Sequence, residues 1–120
     1  MCLGPDARRM ASMKATASNA ARIHRLDDRP PARGKHVLYW MQQAQRAECN
    51  HALEYALEQA NARRLPAVVG FALAAFPEAN RRHYQFMLEG LRETQRRLAA
   101  RGIGFALRRG PPEEVVPELA

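Results

Sequence analysis

The chain is 120 residues long, with 47% apolar residues, 26% charged residues and a formal net charge of +7. A chain of this length can bury one modest core, and it is too short to form a two-domain enzyme by itself. No stretch approaches the roughly 18 consecutive apolar residues that a membrane-spanning helix needs. The composition is that of a globular protein, and no membrane partner is expected.

The excess positive charge is concentrated near the N-terminus. Eight basic and three acidic residues lie within 1–36, whereas residues 37–120 hold eleven arginines and nine glutamates. A basic tail can attract nucleic acid or anionic lipid, and the alternative interpretation is a solvated leader. Residues 1–22 lack sustained periodicity and are predicted to be a disordered basic tail, and residues 23–35 have the composition of a loop.

The two cysteines, Cys2 and Cys49, are too few for a disulfide framework. Cys2 falls in the predicted tail and Cys49 in a predicted helix, so we do not expect them to pair. The N-terminus also lacks the apolar core of a secretory signal. These features favour a cytoplasmic location.

Three short apolar runs, rich in β-branched and aromatic residues, predict strands in the rest of the chain. They are His36–Met41, Ala67–Leu73 and Ile103–Arg109. The second run does not alternate between polar and apolar residues. This pattern is typical of a strand that is buried on both faces, as in a parallel sheet covered by helices.

Helical patterns separate and follow these runs. A stripe of small and apolar residues, which includes Cys49 and Leu53, predicts a helix from about Gln45 to Arg64. A second stripe from Tyr84 to Leu98 predicts another helix, with Gly102 placed where a C-terminal capping glycine belongs. Proline followed by two acidic residues, in Pro111–Glu114, predicts the start of a third helix.

The order strand, helix, strand, helix, strand, helix start predicts an α/β fold. Such alternation is typical of a partial doubly wound, Rossmann-like parallel sheet with right-handed crossovers. Three strands are about half of such a sheet, and the sequence stops within the third helix. We therefore expect residues 36–120 to form an incomplete α/β domain.

The sequence contains no motif for several common chemistries. The turn after the first strand, Met41–Gln45, has no glycine, so a dinucleotide fingerprint or a phosphate-binding loop is not expected. The four histidines do not have metal-ligand spacing, and no metal site is predicted. No serine or cysteine lies in a nucleophile motif, and no catalytic residue is predicted.

The fold class itself predicts where a ligand would bind. In open α/β sheets, ligands bind beyond the carboxyl ends of the strands. At that edge the sequence places Met41 and Gln42 after the first strand, with Arg46 and Asn50 at the start of the following helix. Each of these four residues also has a purely structural interpretation, such as packing, a surface ion pair or solvation.

Five segments of the sequence share one further property. They are Val37–Met41, Gln45-Arg46, Asn50, Arg82–Leu91 and Leu107–Val115, and together they resemble class II DNA photolyases of the photolyase and cryptochrome family. Val37–Met41, Gln45-Arg46 and Asn50 resemble the opening strand and helix of these proteins. Arg82–Leu91 resembles the pattern R-x-Y-x-F-M-L-x-G-L of their second helix, and Leu107–Val115 resembles the pattern RG-x-P-x-E-V. The resemblance covers about residues 22–120, with the segments in the same order.

The resemblance implies a light-driven enzyme that repairs cyclobutane pyrimidine dimers in DNA. It implies an N-terminal α/β domain that supports an antenna chromophore, a deazaflavin or a folate. It also implies a C-terminal helical domain that holds FAD and binds the ultraviolet-damaged DNA. The 120 residues match only the first part, so we expect them to be inactive alone, as a fragment of a monomeric protein. Met41, Gln42, Arg46 and Asn50 are the predicted antenna contacts.

Two alternatives remain open at this stage. One is a cryptochrome-like light sensor, which shares the fold without repairing DNA. The other is a stand-alone α/β module that binds a small molecule or another protein. Dimer cleavage under blue light separates the first alternative from a repair enzyme, and ligand binding by the isolated chain tests the second.

Overall fold

The computed structural model of the chain describes residues 20–120. The described residues belong to two units, 20–33 and 34–120. Most of the predicted basic tail, residues 1–19, lies outside the described residues. In the described part of the first unit, residues 23–33 form neither helix nor strand, and the Asp27 carboxylate accepts a hydrogen bond from the Arg29 backbone at 2.9 Å.

The second unit is built on a parallel sheet of three strands. The strands are β1 (Val37–Trp40), β2 (Ala67–Leu73) and β3 (Gly104–Arg109), and their order in the sheet is β1-β2-β3. Both pairings are parallel, with Val37 opposite Ala67 and Val68 opposite Gly104. This arrangement confirms the predicted α/β fold, and β2, the strand predicted to be buried on both faces, lies in the centre.

Three helices complete the second unit: α1 (His51–Arg63), α2 (Arg81–Ala100) and α3 (Pro112–Leu119). Asn80 caps the N-terminus of α2 by accepting hydrogen bonds from the backbone amides of Arg82 and His83. After α2, Gly102 has a positive φ of 74°, as expected for a glycine that terminates a helix. α3 has proline at its first position and acidic residues in its first turn, as predicted.

The predicted start of the first helix is wrong. α1 begins at His51 rather than near Gln45, and Asn50 is its N-cap, in an extended conformation. Cys49 precedes the helix with a φ of 52°, which is left-handed rather than helical. Cys49 is also disulfide-bonded, against the expectation that it would not pair. Cys2, the other cysteine of the sequence, lies outside the described residues.

The main core lies between one face of the sheet and the helices α1 and α2. Its centre is formed by side chains with almost no exposure, among them Met41, Leu53, Val69 and Leu98. Tyr39 and Phe105 pack against this centre from β1 and β3. Alternate residues of a strand point to opposite faces, so the odd-numbered residues of β1, β2 and β3 define this side of the sheet.

Helix α3 covers the opposite face. A Cβ atom on Gly70, in the middle of β2, would lie 3.0 Å from Cδ1 of Leu119 and 3.1 Å from Cδ1 of Leu38. The absence of a side chain at Gly70 therefore lets the end of α3 approach the sheet closely. The His36 ring nitrogen Nε2 also lies 2.8 Å from the Leu119 carbonyl oxygen. The sheet thus has helices on both faces.

Two features of the described residues bear on the expected partners. Among residues 20–120, no helix is long and apolar enough to cross a membrane. Within the same range, no group of three histidine, cysteine or acidic side chains is placed to hold a metal ion.

Candidate functional site at the carboxyl edge of the sheet

The carboxyl ends of the three strands meet at one edge of the sheet. β1, β2 and β3 end there at Trp40, Leu73 and Arg109, and each is followed by a helix that begins on the same side. The backbone amide of Gly110 donates a hydrogen bond to the Leu73 carbonyl at 3.1 Å, which joins the exits of β2 and β3. Since helix N-termini carry partial positive charge, this edge favours an anionic or hydrogen-bond-accepting ligand.

The segment between β1 and α1, residues 41–50, contains all four predicted site residues. We refer to it as the edge loop. Gln42 and Arg46 have exposed side chains, whereas Met41 and Asn50 are 0% and 2% exposed. The Met41 side chain lies in the main core, and its backbone amide donates to the Gly70 carbonyl at 2.9 Å. Of the four residues, only Gln42 and Arg46 present their side chains to a ligand at this edge.

Asn50 connects the edge loop to α1 through both ends of its side-chain amide. Its Oδ1 accepts from the Leu53 backbone amide at 3.2 Å, which caps the helix. Its Nδ2 donates to the Ala44 carbonyl at 3.0 Å and to the Arg46 carbonyl at 3.2 Å. The same nitrogen lies 3.2 Å from the Tyr39 hydroxyl. A buried amide satisfied in this way stabilises a specific loop conformation.

Two further side chains contact the edge loop: Thr94 of α2 and Arg101, the residue that follows this helix. The Thr94 hydroxyl lies 3.1 Å from the Gln45 carbonyl oxygen, and the Arg101 guanidinium donates to the Ala47 carbonyl at 2.5 Å. Arg101 also pairs with the Glu54 carboxylate at 2.9 Å. Thr94 was recognisable from the sequence as a polar residue within the apolar stripe of α2, between Leu91 and Leu98.

A second ionic group lies on the exposed side of the same region. Arg97 pairs with Glu93 at 2.9 Å within α2 and lies 3.7 Å from Glu48 of the edge loop. The hydrogen bond that Arg97 donates to the Glu93 carboxylate, with the negative charges of Glu48 and Glu93, raises the pKa of Arg97 above its usual value. Because Arg97, Glu48 and Glu93 are all exposed, this contact is a surface interaction that solvent screens.

The described residues also form a shallow cavity between α2 and β3, away from the predicted site. Its volume is about 240 Å³, and it is lined by Leu88, Leu91, Arg92, Gln95, Phe105 and Leu107. This is below the ~300–1,000 Å³ that ligand pockets commonly enclose. No residue of the edge loop lines it, so the cavity does not support the predicted site.

The fold and its ligand edge define the class of protein. A parallel sheet with helices on both faces, and loops gathered at the carboxyl ends of its strands, is an open α/β domain of the doubly wound type. The family model described as DNA photolyase matches residues 37–120, which comprise all three strands and all three helices. The chain belongs to the DNA photolyase family.

Curated relatives agree with this assignment. Over 104 residues, 85% of this chain, it is 45% identical to a deoxyribodipyrimidine photo-lyase of Methanothermobacter thermautotrophicus. It is 42% identical over 81 residues, 67% of the chain, to the enzyme of that name from Potorous tridactylus, and 38% identical over 84 residues, 69% of the chain, to the one from Arabidopsis thaliana. The chain spans only 23%, 15% and 17% of the length of these relatives.

Proposed function

We propose that the chain provides the N-terminal α/β domain of a light-driven DNA repair enzyme, a class II-like photolyase that reverses cyclobutane pyrimidine dimers. The observation that carries this proposal is the match of residues 37–120 to the DNA photolyase family model. The relatives described above are all named as deoxyribodipyrimidine photo-lyases. That name favours repair over the cryptochrome-like sensor.

In this proposal, flavin chemistry and DNA binding belong to a helical domain outside the 120 residues. The relatives are several times longer than the segment they share with this chain, which leaves room for such a domain. FAD bound there would supply the electron that splits the dimer on illumination. The role of the present chain is to support an antenna chromophore and to pack against that domain, in a monomeric cytoplasmic protein.

We propose the edge loop as the antenna site, with the four predicted residues in two roles. Gln42 and Arg46 are exposed at the ligand edge and would contact the chromophore directly. Met41 and Asn50 are buried beneath the loop and would hold it in place. The guanidinium of Arg46 only donates hydrogen bonds, which suits the carboxylates of a folate or the carbonyl and phenolate oxygens of a deazaflavin.

The antenna role is tested by titrating the purified chain with a methenyl folate or an 8-hydroxydeazaflavin and following chromophore fluorescence. We expect Arg46→Ala to weaken binding by roughly 10- to 150-fold, since a hydrogen bond to a charged group contributes ~1.5–3 kcal/mol. Arg63→Ala is the matched control, because Arg63 is also exposed but lies in the last turn of α1. Equal losses for the two variants, or no binding of either chromophore to the wild-type chain, would exclude the edge loop as the antenna site.

Repair and light sensing are separated by a different assay. The protein encoded by the source gene is illuminated with blue light in the presence of DNA that contains thymine dimers. Dimer loss that depends on light supports the photolyase proposal. A flavin-loaded protein that absorbs blue light but leaves the dimers intact would instead favour the cryptochrome-like alternative.

A further inference from the structure

Four consecutive carbonyl groups of the edge loop accept hydrogen bonds from side chains. Asn50 donates to the carbonyls of Ala44 and Arg46. Gln45 accepts from Thr94 of α2, and Ala47 accepts from Arg101 at the C-terminal end of this helix. Backbone carbonyls in an irregular segment are usually satisfied by turns or by water. Side-chain donors to four successive carbonyls therefore restrict the conformation of the loop main chain.

The donors come from two elements that are far apart in the sequence. Asn50 is local to the loop, whereas Thr94 and Arg101 lie 49 and 54 residues away from the carbonyls that they contact. Asn50 and Thr94 are 2% and 5% exposed, so water does not readily replace either of them. Thr94 shares its one hydroxyl proton between the Gln45 carbonyl at 3.1 Å and the Gly90 carbonyl of its own helix at 3.0 Å.

We propose that Asn50, Thr94 and Arg101 are positioning residues, which hold the edge loop in one conformation and so present Gln42 and Arg46 at the ligand edge. The hydrogen bond between the Thr94 hydroxyl and the Gln45 carbonyl holds the loop in a defined position relative to α2. The claim about the loop's conformation stands on these contacts alone. The further claim that the conformation serves chromophore binding rests on the proposed function.

The test compares two substitutions of Thr94 in the full 120-residue chain. Thr94→Val keeps the shape of the side chain and removes the hydroxyl, whereas Thr94→Ser keeps the hydroxyl. Limited trypsin digestion then reports on two sites, the Arg46–Ala47 bond in the loop and the Arg108–Arg109 bond in β3. Native-state cleavage follows the population of the opened form, so the first bond reports loop opening and the second reports loss of the sheet.

We expect Thr94→Val to increase cleavage after Arg46 about five-fold more than cleavage after Arg108, because it removes one hydrogen bond from the loop. Thr94→Ser should restore the wild-type ratio of the two rates. Leu91→Ala, which opens a cavity at a side chain 2% exposed, is the control and should raise both rates by the same factor. Equal changes at both bonds in Thr94→Val, or no change at either, would overturn the proposal.

A second variant covers the case in which Thr94→Val does not fold. Arg101→Lys keeps the positive charge but cannot reach the Ala47 carbonyl and the Glu54 carboxylate together in the fork geometry of a guanidinium. The same selective rise after Arg46 is expected, and its absence would contradict the proposal.

Chromophore titration of the Thr94 variants separates the two claims. Selective loop opening together with weaker chromophore binding in Thr94→Val supports both. Selective opening in a chain whose wild-type form binds neither chromophore would support the positioning role and refute the proposed antenna function. Unchanged binding in Thr94→Val, despite selective opening, would refute the link between loop conformation and binding.

Discussion

A substitution at Gly70 tests the packing of α3 on the sheet. Gly70 lies in β2, opposite Trp40 of β1 and Ala106 of β3, and it is buried. A new Cβ atom would meet the Leu119 and Leu38 methyl groups at 3.0 and 3.1 Å. Both neighbours are the flexible ends of side chains, so alanine requires only small shifts. The two branches of valine require α3 to move.

The expected magnitudes follow from these distances. Replacing a strand glycine by alanine gains ~0.5–1 kcal/mol of unfolding free energy through the backbone, which the tight contacts should largely cancel. Gly70→Val should lower the free energy of unfolding by about 1–3 kcal/mol through overpacking. In a Leu119→Ala background most of this cost should disappear, which gives a coupling energy of about 1–2 kcal/mol.

Urea unfolding followed by far-ultraviolet circular dichroism measures these differences in a double-mutant cycle. Gly90→Ala is the matched control, because a Cβ atom at Gly90 would meet nothing within 4 Å and Gly90 lies on the exposed side of α2. This substitution should stabilise the protein by about 0.5–1 kcal/mol. If Gly70→Val lowers the free energy of unfolding equally in the wild-type and Leu119→Ala backgrounds, the inferred packing of α3 against Gly70 is refuted.

Three further outcomes are expected. Asn50→Ala should lower the free energy of unfolding by about 2–4 kcal/mol in urea titrations, because it removes a helix cap and the side-chain donor to two loop carbonyls, of which Ala44 keeps only the Arg46 backbone amide. His51→Ala, at the exposed next position, should change it by less than about 0.5 kcal/mol. Similar values for the two variants would contradict the role of Asn50. Glu54→Gln should lower the free energy of unfolding by about 1 kcal/mol in the same titrations, because Glu54 and Arg101 form a partly buried ion pair, with side chains 28% and 21% exposed. If salt does not change the difference between the unfolding midpoints of wild type and variant, an ionic contribution is contradicted. The purified 120-residue chain should show no flavin absorbance, and a yellow, flavin-loaded preparation would contradict the placement of the FAD site in another domain.

Much of the fold could be predicted from the sequence because its signals are local. The run Ala67–Leu73 is uniformly apolar and follows Pro66, and the strand has those bounds in the structure. The residues of α2 that face the sheet are equally regular, and Gly102 ends the helix as its position predicts. In these segments residue preference, periodicity and the final packing agree.

The start of α1 could not be predicted in the same way. Residues between Gln45 and Glu48 have good helix propensity, and nothing local prevents them from extending the helix. Thr94 of α2 and Arg101, its C-cap, donate to the carbonyls of this segment instead, and tertiary contacts of this kind override propensity. The local signal that was present is Asn50, a preferred N-cap residue placed before the apolar stripe of α1.

The location of the candidate site at the sheet edge stays a prediction, and the structure adds which of its side chains are exposed there. The topology of a parallel sheet fixes which edge a ligand uses, and that information is in the order of the elements. Which side chains point outward depends on the path of the loop. Met41 turns into the core and Asn50 turns beneath the loop, so the sequence alone did not separate them from Gln42 and Arg46.

The most direct test of the proposed function is repair by a chimeric enzyme. Residues 37–120 of this chain replace the matching segment of the Methanothermobacter photo-lyase, with which it shares 45% identity. Thymine-dimer cleavage by the flavin-loaded chimera is measured under blue light and in the dark. We expect light-dependent cleavage, because the domain should support the same partner domain. A chimera that folds and binds FAD but cleaves no dimers in the light would contradict the proposal.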